Sequence, residues 1–243
     1  MNIFVDTANL QDIEETLKRG FVRGVTTNPS LLAKEPKAKF EEHIGKIVDL
    51  IKKYQPGISL SVEVFSTDPE EILKQARQFM KTFKYPELAI KVQVGWDELA
   101  VIRALADEGI KVNCTCAMDT SQAVMAAAAG AHFVSLFWGR IRDGGTQKHA
   151  DEKKAYLSEG RLEEKDFDPA TVVRETRALF DRSYPDTKII AGSMRTVTDI
   201  MGAANAGAHI VTVPPKFFPG MISHYKTDEV VKQFLQDFAG WLQ

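Results

Sequence analysis

Cysteine is scarce, with 2 residues in 243, and charge of one sign is not in excess: 31 Lys and Arg face 33 Asp and Glu, a formal net charge of −2. No polybasic stretch breaks that balance, which argues against a nucleic-acid-binding face or a membrane-surface patch. No apolar run approaches the ~20 residues of a membrane-spanning helix. The opening residues, Met1-Asn2-Ile3-Phe4-Val5-Asp6, lack a basic segment leading into an apolar core, so no signal peptide is expected. Cys114 and Cys116 share one predicted strand, are poorly placed to bridge, and make no zinc site alone. His43, His132, His149, His209 and His224 show no HExxH or other ligand spacing. The expectation is a protein of a reducing, cytoplasmic setting with no metal and no cofactor.

What the chain does have is ordinary globular composition, 44% hydrophobic and 26% charged, and a repeated rhythm of short apolar run, turn and amphipathic stretch. Strands are predicted at Ile3–Asp6, Val22–Thr27, Leu60–Phe65, Leu88–Val92, Lys111–Thr115, His132–Leu136, Lys188–Ala191 and His209–Val213. Helical patterns fall between them, including Asn9–Leu17, with apolar residues at 10, 13 and 17, and Phe40–Tyr54. Ala129-Gly130-Ala131-His132 echoes Ala206-Gly207-Ala208-His209, as a recurring helix-to-strand turn would. Strands alternating with helices imply a parallel sheet. Eight such units in this length fit a single (β/α)8 barrel, an α/β fold spanning 1–243, with a doubly wound open sheet as the competing layout. Residues 142–168 break the rhythm with dense charge. They read as a surface insertion of one helical turn or two, either simply solvated or a lid. An amphipathic C-terminal helix over 228–242 closes the chain, facing its own barrel or a neighbouring subunit.

The residue that draws attention is Lys91, inside the run Leu88-Ala89-Ile90-Lys91-Val92. Lysine is rarely buried. Such a residue is a strand-end lysine reaching for water or an amine held out of water for chemistry, and a desolvated amine is more easily neutral and nucleophilic. In a barrel, functional groups gather at the C-terminal ends of the strands. Those ends carry Asp6, Thr27-Asn28, Glu63, Lys91, Asn113 to Thr115, Ser135 to Phe137 with Arg140, and Ser193 with Arg195. Singly, Asp6 could cap a helix, Asn28 could be turn chemistry before Pro29, and Thr115 an ordinary strand residue. Together they put one lysine, two carboxylates, several hydroxyl or amide groups and two arginines on one rim. That set suits imine chemistry on a phosphorylated sugar: Lys91 attacks a ketone carbon, a carboxylate moves protons, and Arg140 and Arg195 hold phosphate.

Several stretches then resemble the transaldolase family, in particular its short group that also contains fructose-6-phosphate aldolases. They are Phe4-Val5-Asp6-Thr7-Ala8, Gly24-Val25-Thr26-Thr27-Asn28-Pro29-Ser30, Ile90-Lys91-Val92, Asn113-Cys114-Thr115, Ser135-Leu136-Phe137-Trp138-Gly139-Arg140-Ile141 and Ala191-Gly192-Ser193-Met194-Arg195. The likeness spans nearly the whole chain outside the charged excursion. It implies that Lys91 forms a Schiff base and that Asp6 takes the proton from the C4 hydroxyl as the carbon–carbon bond breaks. Glu63 and Thr115 would position a catalytic water. Asn28, Asn113 and Ser135 would bind the substrate's hydroxyl groups, and Arg140, Ser193 and Arg195 its phosphate.

Within that family two positions discriminate. The aldolase branch resembles a pattern with Gln where this chain has Glu63 and Tyr where it has Phe137. Glu63 with Phe137 implies a transaldolase, which passes a dihydroxyacetone unit from a ketose phosphate to an aldose phosphate in the pentose phosphate pathway. A fructose-6-phosphate aldolase and an idle sugar-phosphate-binding barrel are the alternatives. Gln93, Leu136 and Trp138 depart from the common pattern and bear on acceptor preference. The resemblance also implies sugar-phosphate partners and a ring-like homo-oligomer built through the C-terminal helix.

Overall fold

The computed structural model describes residues 1–242. Eight parallel strands close into one barrel in chain order, each paired with its sequence neighbour and the last with the first. They are β1 (Asn2–Asp6), β2 (Gly24–Thr26), β3 (Ser59–Glu63), β4 (Leu88–Gln93), β5 (Lys111–Ala117), β6 (Phe133–Phe137), β7 (Lys188–Gly192) and β8 (Ile210–Val213). The expected (β/α)8 barrel is what the chain forms, and the open-sheet layout is not.

The strands read as nearly continuous apolar runs because both faces are buried. The faces nevertheless differ. Along β4, Leu88, Ile90 and Val92 belong to the large apolar core, whereas Ala89 belongs to a separate small cluster with Phe4, Phe133, Ile190 and Ile210. Successive side chains alternate across a strand, so the first set faces the helices and the second lies inside the barrel. There the Phe4 and Phe133 rings meet edge to face, centroids 6.4 Å apart. Phe4 fits because residue 24 is glycine: a Cβ there would lie 2.5 Å from the ring. This apolar floor closes one end of the barrel, and the polar inward residues occupy the other.

The outer helices begin α1 (Leu10–Lys18), α2 (Pro29–Leu32), α3 (Phe40–Tyr54), α4 (Pro69–Phe83), α5 (Trp96–Asp107) and α6 (Thr120–Ala128). Their starts follow the chemistry expected of helix N-termini. Asn9, Asn28, Asp68 and Asp119 accept backbone N–H groups as caps, and proline opens α2 and α4. The two alanine–glycine echoes are the same turn. Gly130 and Gly207 have φ of 98° and 101°, left-handed values that glycine adopts at no steric cost.

The charged excursion is more ordered than one or two helical turns. It comprises α7 (Trp138–Gly144), a 3-10 turn, the nine-residue α8 (Ala150–Ser158) and a second 3-10 turn before α9 (Pro169–Ser183). Good helix formers with Asp151 and Glu152 in the first turn account for α8. Lys153 folds it back, 2.6 Å from Glu164 and over the ring of Phe167. After α10 (Val197–Asn205) and β8 come the short α11 (Phe218–Ile222) and α12 (Tyr225–Trp241). Every residue of α12 is exposed, so the reading in which it packs on its own barrel does not hold. No helix among the described residues is long and apolar enough to cross a membrane.

His209 supplies a test of the floor end. Its Nδ1 accepts the Ile189 N–H at 3.0 Å, and burial pushes the ring down from 6.5 to about 4. Between those values the unfolded chain takes up a proton that the folded chain refuses. Stability therefore falls as pH drops from 6.5 towards 4 and levels off below. Urea titrations at pH 7 and pH 4.5 should show a larger loss for the wild type than for His209→Asn, which keeps an acceptor without the titration.

Candidate active site

Strand register brings the rim together. Glu63, Lys91 and Asn113 are direct partners across β3, β4 and β5. Lys91 Nζ lies 2.7 Å from Glu63 Oε2 and donates to the Thr27 carbonyl at 2.9 Å. Its side chain is only 6% exposed, so this is an amine enclosed in the barrel and not one reaching for solvent. Asn113 donates to Ser61 Oγ at 3.2 Å and accepts from Ser135 Oγ at 2.7 Å.

Asp6 faces this group from β1. Thr26 Oγ1 donates to Asp6 Oδ1 at 2.8 Å, and Thr26 and Thr212 hydroxyl oxygens are also hydrogen-bonded. With the Thr26 proton committed to Asp6, Thr212 is the donor to Thr26, giving a relay of two hydroxyls that ends on the carboxylate. Burial raises the Asp6 carboxyl above its ordinary 3.8, against the opposing pull of the Lys91 charge and the Thr26 bond. A carboxylate poised in this way can both take and return a proton.

Thr115 lies two residues beyond Asn113 on β5. Its hydroxyl is buried and has no hydrogen-bond partner among the described residues. The strand is irregular here: its register with β6 shifts between Cys114 and Ala117, and Cys116 takes a left-handed φ of 65°. Such a bulge re-aims a strand end. A buried hydroxyl left without a protein partner is costly to maintain, and it keeps its hydrogen-bonding capacity free. The two thiols are free, and burial drives Cys114 up to about 12.

The arginines sit on two adjoining segments. Arg140 is exposed on α7. Ser193 has a left-handed φ of 60° in the turn after β7, and Arg195 follows it. Gly139 makes their approach possible: a Cβ there would lie 2.6 Å from the Ser193 carbonyl oxygen and 2.8 Å from Arg195 Nε. Arg195 is not idle, since its Nη1 donates to Asp143 Oδ1 at 2.6 Å and its Nη2 to Asp143 Oδ2. That pairing holds the Asp143 carboxyl below the usual range. Asn28 is engaged locally, its Oδ1 capping α2 by accepting the Leu31 N–H at 2.9 Å, which is the turn chemistry its sequence context allowed. Phe137 ends β6, half-buried beside Gly192.

Sequence reasoning missed Thr212 and the roles of Thr26 and Ser61 as hydroxyl partners, although their inward parity matches that of Asp6 and Glu63. It also missed Asp143 and Asp199, whose generic residue type gave no signal. No cluster of three or more His, Cys, Asp or Glu side chains is placed to hold a metal among the described residues. A cleft of about 1170 Å³ runs from Asp6 past Lys34 to Phe21, between α1 and the chain around α11. Lys91 does not line it. Asp6 is common to this cleft and to the group around Lys91.

A closed (β/α)8 barrel with an interior amine–carboxylate pair is the class that fold and site define. Comparison with known proteins narrows it. Residues 3–241 match the family model described as transaldolase/fructose-6-phosphate aldolase. A probable transaldolase of Symbiobacterium thermophilum is 35% identical over 98% of this chain and 97% of its own. One from Alkaliphilus metalliredigens is 36% identical over 99% of each. Among solved structures, a mandelate oxidase variant superposes with a TM-score of 0.53 at 13% identity, covering 88% of this chain and 65% of that one, a likeness of fold alone. The chain belongs to the transaldolase/fructose-6-phosphate aldolase family, and it is an enzyme of the aldolase/transaldolase kind.

Gly139→Ala should destabilise the protein by about 1–3 kcal/mol, because the neighbour it meets is backbone that cannot swing aside. Denaturant unfolding measures this. A change under a few tenths would mean that the two segments are free to separate.

Proposed function

We propose that this protein is a transaldolase, moving a dihydroxyacetone unit from fructose 6-phosphate or sedoheptulose 7-phosphate to erythrose 4-phosphate or glyceraldehyde 3-phosphate, as in the pentose phosphate pathway. The observation that carries the reading is the Lys91 amine enclosed 2.7 Å from Glu63, with the Lys91 charge acting on Asp6. Lys91 Nζ attacks the ketose C2. The carbinolamine loses water, with Glu63 and Thr115 serving the proton and the water, and leaves a protonated imine. Asp6 takes the C4 hydroxyl proton, the C3–C4 bond breaks, and its electron pair passes into the imine to give an enamine on Lys91. The first aldehyde leaves. The enamine carbon then attacks the acceptor aldehyde, Asp6 returns the proton, and water releases the new ketose. Asn28, Asn113 and Ser135 serve the sugar hydroxyls, and Arg140, Ser193 and Arg195 the phosphate.

Phe137 supports transfer over simple aldol cleavage, since it offers no hydroxyl to protonate and release the three-carbon fragment. We further propose a homo-oligomer. Phe234, Leu235, Phe238 and Trp241 are exposed on α12, and the cleft lies beside α1. A second copy's α12 has the length and apolar stripe to fill it. Two free thiols fit a reducing, cytoplasmic setting.

Borohydride reduction with fructose 6-phosphate should leave a three-carbon adduct on Lys91, read by mass spectrometry. An adduct on another lysine, or none, refutes the mechanism. Without an acceptor aldehyde, free dihydroxyacetone should not accumulate at the transfer rate; if it does, the activity is that of an aldolase. Asp6→Asn should lower kcat by about 10²- to 10⁴-fold. As Asp6 must be ionised to take the proton, wild-type rate should fall with pH through its raised pKa, an acid limb above 3.8 that pH–rate profiles would show missing in the variant.

A further inference from the structure

Asp199 takes no part in the mechanism above, yet it is the most heavily engaged carboxylate near the rim. It lies in the first turn of α10, capped by Thr196, and its side chain is 6% exposed. It accepts from Trp138 Nε1 at 3.2 Å, from Arg142 Nη1 at 2.8 Å and Nη2 at 3.3 Å, and from the Arg195 backbone N–H at 3.2 Å. These donors come from two segments. Trp138 and Arg142 stand two residues to either side of Arg140, and the Arg195 amide stands two residues after Ser193. One carboxylate is thus bonded to both halves of the arginine-bearing rim without reaching into it.

The packing around it is matched. The Trp138 indole lies against Gly202, where a Cβ would sit 3.0 Å from the ring. Asp199 and Gly202 are three apart on α10 and share a face, so one helix face seats both the ring and its N–H. The bulky Trp138, unusual for its position in the sequence motif, has a partner here. A simple strut would do as well with apolar side chains, since an ion pair to an arginine that is 46% exposed adds little net stability. What a forked pair adds is fixed geometry.

We propose that Asp199 is a positioning residue for the phosphate end of the site. Through Trp138 and Arg142 on one side and the Arg195 amide on the other, it sets the spacing between Arg140 and the Ser193–Arg195 segment, and so makes this enzyme select phosphorylated over unphosphorylated acceptor aldehydes. The proposal rests on the phosphate assignment given under Proposed function.

The test uses the full chain with glyceraldehyde 3-phosphate and glyceraldehyde as acceptors. Asp199→Asn should lower the ratio of kcat/KM for the phosphorylated over the unphosphorylated acceptor by about 10- to 100-fold, the scale of a misplacement near 1 Å, chiefly through KM. Inorganic phosphate, followed by calorimetry, should bind the variant more weakly by a similar factor. Trp138→Phe keeps an aromatic ring but loses the indole N–H and part of the contact with Gly202, while leaving the Arg142 and Arg195 bonds to Asp199 in place, and should move both readouts the same way by less. It decides the matter if Asp199→Asn does not fold. Equal losses on both acceptors with unchanged phosphate binding would mark a merely structural role and overturn the proposal, as would an unchanged ratio in both variants. Calorimetry separates the two failures: a wild type that forms no Lys91 adduct but binds phosphate in an Asp199-dependent way refutes the proposed mechanism and leaves the positioning role standing.

Discussion

A polar amine enclosed in a protein needs hydrogen-bond acceptors to offset its desolvation, and that requirement organises this barrel. Lys91 meets it with the Glu63 carboxylate and the Thr27 carbonyl. Removing one member of such a buried pair typically costs about 3–5 kcal/mol. The pair exists only because β3 and β4 are in the register that sets Glu63 beside Lys91. A slip of one residue along β4 would turn Lys91 outward into the layer occupied by Ile90 and Val92 and turn those side chains inward. The buried amine and the apolar core therefore enforce one alignment. The same alternation stacks Asp6 above Phe4 on β1, Lys91 above Ala89 on β4 and Ser135 above Phe133 on β6, so on these strands a polar residue rests on an apolar one.

That tier was legible in outline. Asp6, Glu63, Lys91, Asn113 and Ser135 stood out as polar residues at or near the ends of apolar runs, and closure of eight strands necessarily gathers such positions. What they bond to was not legible. Asp143 reaches Arg195 across 52 residues and Asp199 reaches Arg142 across 57, separations over which sequence periodicity says nothing. The alternation within β4 was masked because Ala89 is apolar yet faces inward. Asn28 stood in a motif that admitted both a cap and a ligand, and its oxygen caps α2 while its amide nitrogen takes no part in that bond. For α12 the apolar stripe was plain, but a stripe does not say which surface it meets.

The charged excursion changes meaning once folded. In sequence it looks like a piece set apart from the rest. It starts from α7, the helix that carries Arg140 and Asp143, and returns through α9 to β7, which delivers Ser193 and Arg195. It therefore joins, through the chain, the two segments that Asp199 joins through hydrogen bonds.

The floor of Phe4, Ala89, Phe133, Ile190 and Ile210 has a bearing on traffic. A tube stoppered at one end has a single doorway. Whatever reaches Lys91 must come in over the rim and go out the same way, so on the mechanism proposed the departing aldehyde and the arriving one share a passage and cannot cross in it. The order of a two-substrate reaction would then follow from the plug of aromatic and aliphatic side chains beneath the amine, which keeps the lysine-bound fragment at the blind end while its neighbours exchange.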